Sequence, residues 1–342
     1  MDPLTLEHIK AWPKAELHLH LDGSLRPETM VELALEYRKP LPAMDAVGLA
    51  QAVRAIDDAG SLEAYLAWFD VTLQLMQTRD ALIRVAEELV EDAAAENVVY
   101  LEVRFSPLLH LDEGLTLEGV VQAVLEGLRR GTEKHGTRAN LILCALRGKH
   151  AAESLQVAQL ASAYRGRGVV AFDLAGPEAG HPAREHLDAF HHARANLVGL
   201  TIHAGESWGP TSVRQALLVC GAHRIGHGIA TVLDADLLEY VVQHQIPLEV
   251  CPTSNVQTQV ASDYAGHPIV RLTQAGASVS INTDSRLFSS RLLSEEILRV
   301  HDLCGLDANT VRECVRNGFR HAFLPPAIRA GYLENLELAF QA

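Results

Sequence analysis

The stretch Pro13-Lys14-Ala15-Glu16-Leu17-His18-Leu19-His20-Leu21-Asp22-Gly23-Ser24 decides how the rest of the chain is read. It is apolar and extended in character until Asp22-Gly23-Ser24, residues that favour a turn. Successive side chains of a strand alternate between faces, so His18 and His20 project to the same side. Two imidazoles at the end of one strand can converge on one ion. Alone the pair is weak evidence, because the chain holds 17 histidines and His-x-His also arises without function. Three further stretches offer the missing parts of a site: Thr201-Ile202-His203-Ala204-Gly205-Glu206, Arg224-Ile225-Gly226-His227-Gly228 and Ser280-Ile281-Asn282-Thr283-Asp284. Each follows a strand-like run.

Eight such runs can be marked, over residues 15–19, 98–104, 139–146, 169–174, 199–203, 224–227, 246–250 and 278–283. Helix-period segments separate them: 117–134 with apolar Val120, Val121, Val124 and Leu128, and at lower contrast 212–219, 235–244 and 270–275. Near-continuous apolar strands alternating with helices predict a parallel sheet covered on its outside, and eight units predict a closed (β/α)8 TIM barrel. The regular alternation is interrupted after strand one. Residues 28–96 are expected to hold three or four helices, a large insertion that would act as a lid over the catalytic face. Segments 292–304, 307–322 and 326–340 read as closing helices. No repeat, low-complexity tract or linker divides the chain, so residues 1–342 are expected to form a single domain.

With 48% hydrophobic and 21% charged residues the chain has the composition of a globular protein. Its formal charge of −14 repels phosphate backbones and anionic lipid, which speaks against nucleic acid and membrane partners. Five scattered cysteines, Cys144, Cys220, Cys251, Cys304 and Cys314, read as reduced core residues. Residues 1–14 lack the apolar core of a signal peptide and no run approaches membrane-spanning length, so a cytoplasmic location is expected.

In a barrel of this kind functional side chains sit at the carboxyl ends of the strands, where His18, His20, His203, His227 and Asp284 all fall. Three imidazoles and a carboxylate make a ligand set suited to zinc with one position open to water. No thiol is expected nearby. Glu206, beyond the flexible Ala204-Gly205 step, can reach a substrate without binding metal, and His227 between two glycines can hold or deprotonate a metal-bound water. Taken singly, each has an ordinary alternative: Glu206 beside a helix N-cap, His227 as a satisfied core histidine, Asp284 as a loop cap. Their joint occurrence at strand ends favours a site.

The motifs also resemble a known family, the adenosine deaminases of the amidohydrolase superfamily. The likeness rests on the opening stretch, on Glu102-Val103-Arg104-Phe105-Ser106-Pro107, Asp173-Leu174-Ala175-Gly176-Pro177-Glu178, His203-Ala204-Gly205-Glu206, Gly226-His227-Gly228, Cys251-Pro252-Thr253-Ser254-Asn255 and Asn282-Thr283-Asp284, in that order over nearly the whole chain. The resemblance implies zinc-dependent hydrolysis of adenosine or 2′-deoxyadenosine to the inosine nucleoside and ammonia, a purine salvage reaction. It implies that His18, His20, His203 and Asp284 ligate one Zn2+ per chain and that Glu206 protonates the purine N1 while His227 and Asp284 orient the attacking oxygen. His20, Asp22 and Gly176 would contact the substrate, Asp22 at the ribose 5′ hydroxyl and the Gly176 N–H at N3. Leu62, Tyr65, Leu66 and Phe69 occupy the positions of the family's hydrophobic gate, although their i, i+3, i+4, i+7 spacing equally describes a buried helix face.

One position departs from the family pattern. Where a second aspartate usually follows the metal aspartate and contacts N7, this chain has Ser285, whose hydroxyl is expected to donate to N7 instead. Related deaminases of adenine, N6-methyl-AMP or aminofutalosine nucleosides are the nearest rivals. Asp22 disfavours a 5′ phosphate by charge, and free adenine would leave it without a partner. A non-catalytic nucleoside-binding protein would be expected to have lost a ligand or Glu206, and none is lost here.

Overall fold

A computed structural model describes residues 4–54, 56 and 61–341, the side chains of 63 and 64 excepted. Eight parallel strands follow one another around a single sheet in sequence order: β1 (Lys14–His20), β2 (Val98–Phe105), β3 (Arg138–Leu146), β4 (Val169–Ala175), β5 (Gly199–Ala204), β6 (Arg224–His227), β7 (Leu248–Val250) and β8 (Val279–Ile281). Each of the eight predicted runs overlaps one of them, and the predicted ends differ by two residues at most. The strands are buried along nearly their whole length, as expected when helices cover one side and packed side chains fill the other.

The ring closes at Asp284. Its N–H donates to the His18 carbonyl at 3.1 Å and its carbonyl accepts from His20 N at 2.6 Å, which joins the segment after β8 to β1. Asn282 strengthens the seam, because its Oδ1 accepts from both Leu17 N and His18 N. Two consecutive amides on one acceptor accompany a register shift of β1 against β2 between Glu16 and Leu19. This bulge was not apparent from the alternation of residues, yet His18 and His20 still share the inner face.

The insertion after β1 holds five α-helical segments among the described residues, Pro27–Tyr37, Ala46–Val53, Leu62–Leu66, Phe69–Leu73 and Arg79–Ala95, where three or four were expected. The difference lies at Ala67 and Trp68, a turn that splits the expected gate helix into two short pieces. The last segment belongs to the barrel wall. It packs on the helix Leu117–His135, whose Gly127 and Gly131 permit the approach: a Cβ on Gly127 would stand 2.3 Å from the Ile83 carbonyl oxygen. The predicted segment 212–219 is an α-helix, Pro210–Arg214, running into a π-helical turn, Gln215–Cys220. Helices Leu293–Cys304, Ala308–Arg320 and Pro326–Ala339 close the chain as expected. Among the described residues no helix is long and apolar enough to cross a membrane.

Candidate active site

The strands bring His18, His20, His203 and Asp284 together at the carboxyl end of the barrel, each offering one donor atom, with all four atoms within 4.8 Å of one another. His20 Nε2 stands 3.2 Å from His203 Nε2, and Asp284 Oδ1 lies 3.2 Å from His18 Nε2 and 3.4 Å from His20 Nε2. The protons can be placed from the outer contacts. His18 Nδ1 faces Glu249 Oε2 at 3.0 Å, and His203 Nδ1 faces Asp173 Oδ2 at 3.0 Å. A carboxylate only accepts, so each Nδ1 carries the hydrogen and each Nε2 turns a lone pair inward. His18 Nε2 is buried and makes no hydrogen bond despite its short distance to Asp284. Lone pairs gathered around a carboxylate repel one another unless a cation stands among them. Three imidazole nitrogens and one oxygen therefore fit a divalent metal of the zinc type.

The electrostatics point the same way. Burial pulls the pKa of His20, His203 and His227 below the ordinary imidazole value, so their neutral forms prevail near neutral pH. Burial and Arg104 also oppose protonation of His18, but the Asp284 and Glu249 carboxylates beside it outweigh them and raise its pKa. Asp284 and His227 both adopt left-handed backbone conformations, φ +65° and +60°, which cost a non-glycine residue about 1–2 kcal/mol each. Strand pairing holds Asp284 in that conformation, while Asn255 Nδ2, 3.1 Å from His227 Nδ1, fixes the histidine ring.

Glu206 is positioned by another carboxylate. Glu178 accepts four consecutive backbone N–H groups, from Gly205, Glu206, Ser207 and Trp208, at 2.6 to 3.0 Å. Gly205, at φ +69°, makes the turn possible, since a Cβ there would stand 2.4 Å from Val213 Cγ2. The turn aims Glu206 Oε2 to within 3.7 Å of His227 Nε2.

These groups open on a cavity of about 230 Å³ whose wall includes Asp22, Gly176, His20, Glu206 and His227. Asp22 is buried with its Oδ1 unpartnered, and burial raises its pKa to about 7. Gly176, at φ +94°, turns the chain at the end of β4. Leu62, Tyr65, Leu66 and Phe69 all line the cavity despite the break in their helix. Phe288 braces them, with ring centroids 5.5 Å from Tyr65 and 4.8 Å from Phe69.

One expectation needs correction. Cys251 Sγ lies within 4.8 Å of the donor atoms of His18, His227 and Asp284, and Cys144 lines the cavity, so thiols are nearby after all. Burial pushes the Cys251 thiol pKa well above its usual value, which favours the neutral thiol. Cys251 immediately follows β7, a strand end followed by neither a histidine nor a carboxylate to mark it. Ser285, the candidate donor to N7, stands against Gly23. It is fully buried, does not line the cavity, and packs so closely on Gly23 that a Cβ there would stand 2.2 Å from its Oγ. Both its hydroxyl and that of Tyr65 are buried without hydrogen bonds.

The residues that hold the histidines were missed. Glu249 accepts from His18, Arg104, Thr201 and Arg224 in the barrel interior, and Arg104 bridges it to Asp173 at 3.0 Å. The available signal was a charged residue inside an apolar strand, as in Ile246-Pro247-Leu248-Glu249-Val250, since a buried charge requires partners.

Comparison with known proteins agrees with this geometry. The family model described as adenosine deaminase matches residues 13–338. An adenosine deaminase of Mycolicibacterium vanbaalenii is 45% identical over 337 residues, covering 94% of this chain and 93% of that protein. Among solved structures, an adenine deaminase from Arthrobacter aurescens superposes with a TM-score of 0.90 at 26% identity, covering 97% of this chain and all of the other. An N6-mAMP deaminase from Arabidopsis gives a TM-score of 0.86 at 28% identity, covering 97% and 99%. With the family model spanning the barrel from β1 to the last helix and a relative this similar over nearly its full length, the chain belongs to the adenosine deaminase family.

Proposed function

We propose that this chain catalyses the hydrolytic deamination of adenosine and 2′-deoxyadenosine, giving inosine or 2′-deoxyinosine and ammonia. The observation that carries the reading is the opening of the four-donor cluster, Glu206 and the unpartnered Asp22 carboxylate on one small cavity. His18, His20, His203 and Asp284 would hold one zinc ion. Zinc bound there supplies the Lewis acidity that makes water nucleophilic near neutral pH.

The chain's own groups do the rest. Glu206 donates a proton to N1 of the purine, so the ring accepts electrons at C6 without building full negative charge. His227, kept neutral by burial, orients the attacking water through Nε2 together with the Asp284 carboxylate. The Gly176 N–H binds N3, and Asp22 accepts the ribose 5′ hydroxyl. A 5′ phosphate would meet that buried carboxyl as a like charge wherever it is ionised, which favours a nucleoside over a nucleotide. Leu62, Tyr65, Leu66 and Phe69 exclude water above the base. Ser285 offers its hydroxyl to the purine N7 as a neutral donor. Five free, buried cysteines suit a reducing compartment, and we place the reaction in the cytoplasm as part of purine salvage.

The test is ammonia release by the purified, zinc-loaded chain. Adenosine is expected to be a far better substrate than adenine or AMP, and comparable or faster turnover of either would refute the assignment.

A further inference from the structure

At the opposite end of the barrel a second cleft, of about 820 Å³, is bordered by Val169, Gly199, Arg224 and Pro247, at or just before the starts of β4 to β7. Its wall includes Arg165, Arg194, Arg329, His223 and His321, and no aspartate or glutamate. Such an absence is informative in a chain with 43 acidic and 29 basic residues. Elsewhere arginines find carboxylates readily: Arg26, Arg84, Arg129, Arg214 and Arg316 each form ion pairs. Among the described residues Arg165, Arg194 and Arg329 form none.

Two of these three side chains are nonetheless held in place. Arg165 Nε donates to the Leu197 carbonyl at 2.8 Å, and Arg329 Nη1 donates to the Arg320 carbonyl. Backbone carbonyls fix the guanidinium groups without cancelling their charge, so the remaining N–H donors keep full strength toward an anion. Arg224 differs, being neutralised by Glu102 and Glu249, and its guanidinium covers the Phe323 ring at 3.8 Å. His223 accepts from Leu200 N through Nδ1, which leaves the hydrogen of its neutral ring on Nε2. Burial, and after it neighbouring arginines, lower the pKa of both His223 and His321. The surroundings of the cleft are positive in an otherwise acidic molecule.

We propose that this cleft binds a phosphorylated small molecule of the diphosphate or triphosphate class. Guanidinium forks match phosphate oxygens two at a time, and a volume of this size admits a nucleotide. Leu197, Phe323 and Pro325 offer apolar surface beside the charged groups. The site is separate from the proposed deamination centre, so the two readings stand or fall apart.

Isothermal titration of the full chain at physiological ionic strength, with sodium pyrophosphate and with adenosine triphosphate as probes, tests the proposal. Saturable binding is expected, weakened about tenfold or more by the combined changes Arg165→Ala, Arg194→Ala and Arg329→Ala, which remove charge-assisted hydrogen bonds. Should the triple variant melt early, the single variants Arg194→Gln and Arg329→Gln are each expected to weaken binding about threefold by the same reasoning. Equal binding of the two probes assigns the cleft to phosphate alone and tighter triphosphate binding assigns it to a nucleotide, both upholding an anion site. No saturable heat at millimolar probe, or affinity unchanged by the arginine substitutions, overturns it.

Discussion

Replacing Asp173 by asparagine should loosen the metal without touching a ligand. Both oxygens of Asp173 are committed: Oδ1 accepts from Leu174 N at 2.7 Å, and Oδ2 accepts from Arg104 Nη1 at 3.0 Å, with His203 Nδ1 at 3.0 Å from Oδ2 and 3.2 Å from Oδ1. Burial would favour the protonated acid, yet His203 and Arg104 hold the pKa of Asp173 well below its usual value. Whichever oxygen becomes an NH2 group, that group meets the N–H of Leu174 or of Arg104. It can also drive the His203 hydrogen from Nδ1 to Nε2, where it would point at the metal. One donor facing another in the interior costs about 1–3 kcal/mol of folding stability. Outer partners of metal-bound histidines are worth about 10- to 100-fold in affinity, or roughly 1.4–2.8 kcal/mol. Competition against a chelator, with folding followed by circular dichroism, measures the effect directly. A folded Asp173→Asn variant whose zinc affinity stays within about threefold of the parent would refute the proton placement argued from the His203 contact.

Glu206→Gln should retain zinc and bind substrate but lose about 10²- to 10⁴-fold in kcat, because an amide has no acidic proton for N1; a fall of less than about tenfold would remove Glu206 from that role. Asp22→Ala should raise KM for adenosine more than for 5′-deoxyadenosine, by the roughly 1.5–3 kcal/mol of a hydrogen bond to a charged group, and equal losses on both substrates would make Asp22 structural. Ser285→Ala should lower kcat/KM for adenosine about two- to twelvefold while sparing 7-deazaadenosine, which has no N7 acceptor. Equal losses there would assign Ser285 to packing against Gly23 alone.

Much of the barrel could be read from the chain because its signals are local. Apolar runs punctuated by turn residues mark β1 to β8, and chemistry-bearing side chains stand at their carboxyl ends. The candidate ligand cluster was legible for the same reason, as His18, His20, His203 and Asp284 each lie within three residues of a strand's carboxyl end. What escaped notice depends on contacts across the ring. Glu249 meets His18 over 231 residues of chain and Arg104 over 145, distances at which spacing carries no information. The bulge in β1 is accompanied by contacts to Asn282, 264 residues from His18, and the expected gate helix breaks at a turn that side-chain periodicity alone did not mark. Ser285 shows the converse limit. A motif position suggested its chemistry, but whether its hydroxyl faces the cavity depends on how it packs against Gly23.

The most direct test of the central claim is the initial rate of ammonia release from adenosine, 2′-deoxyadenosine, adenine, AMP and aminodeoxyfutalosine, measured on one preparation with its zinc content known. One zinc per chain and high kcat/KM for the first two substrates, with the other three far behind, is the result expected from Asp22 and the single cluster of His18, His20, His203 and Asp284. A preference for AMP or adenine, or activity that tracks a second zinc, would contradict it.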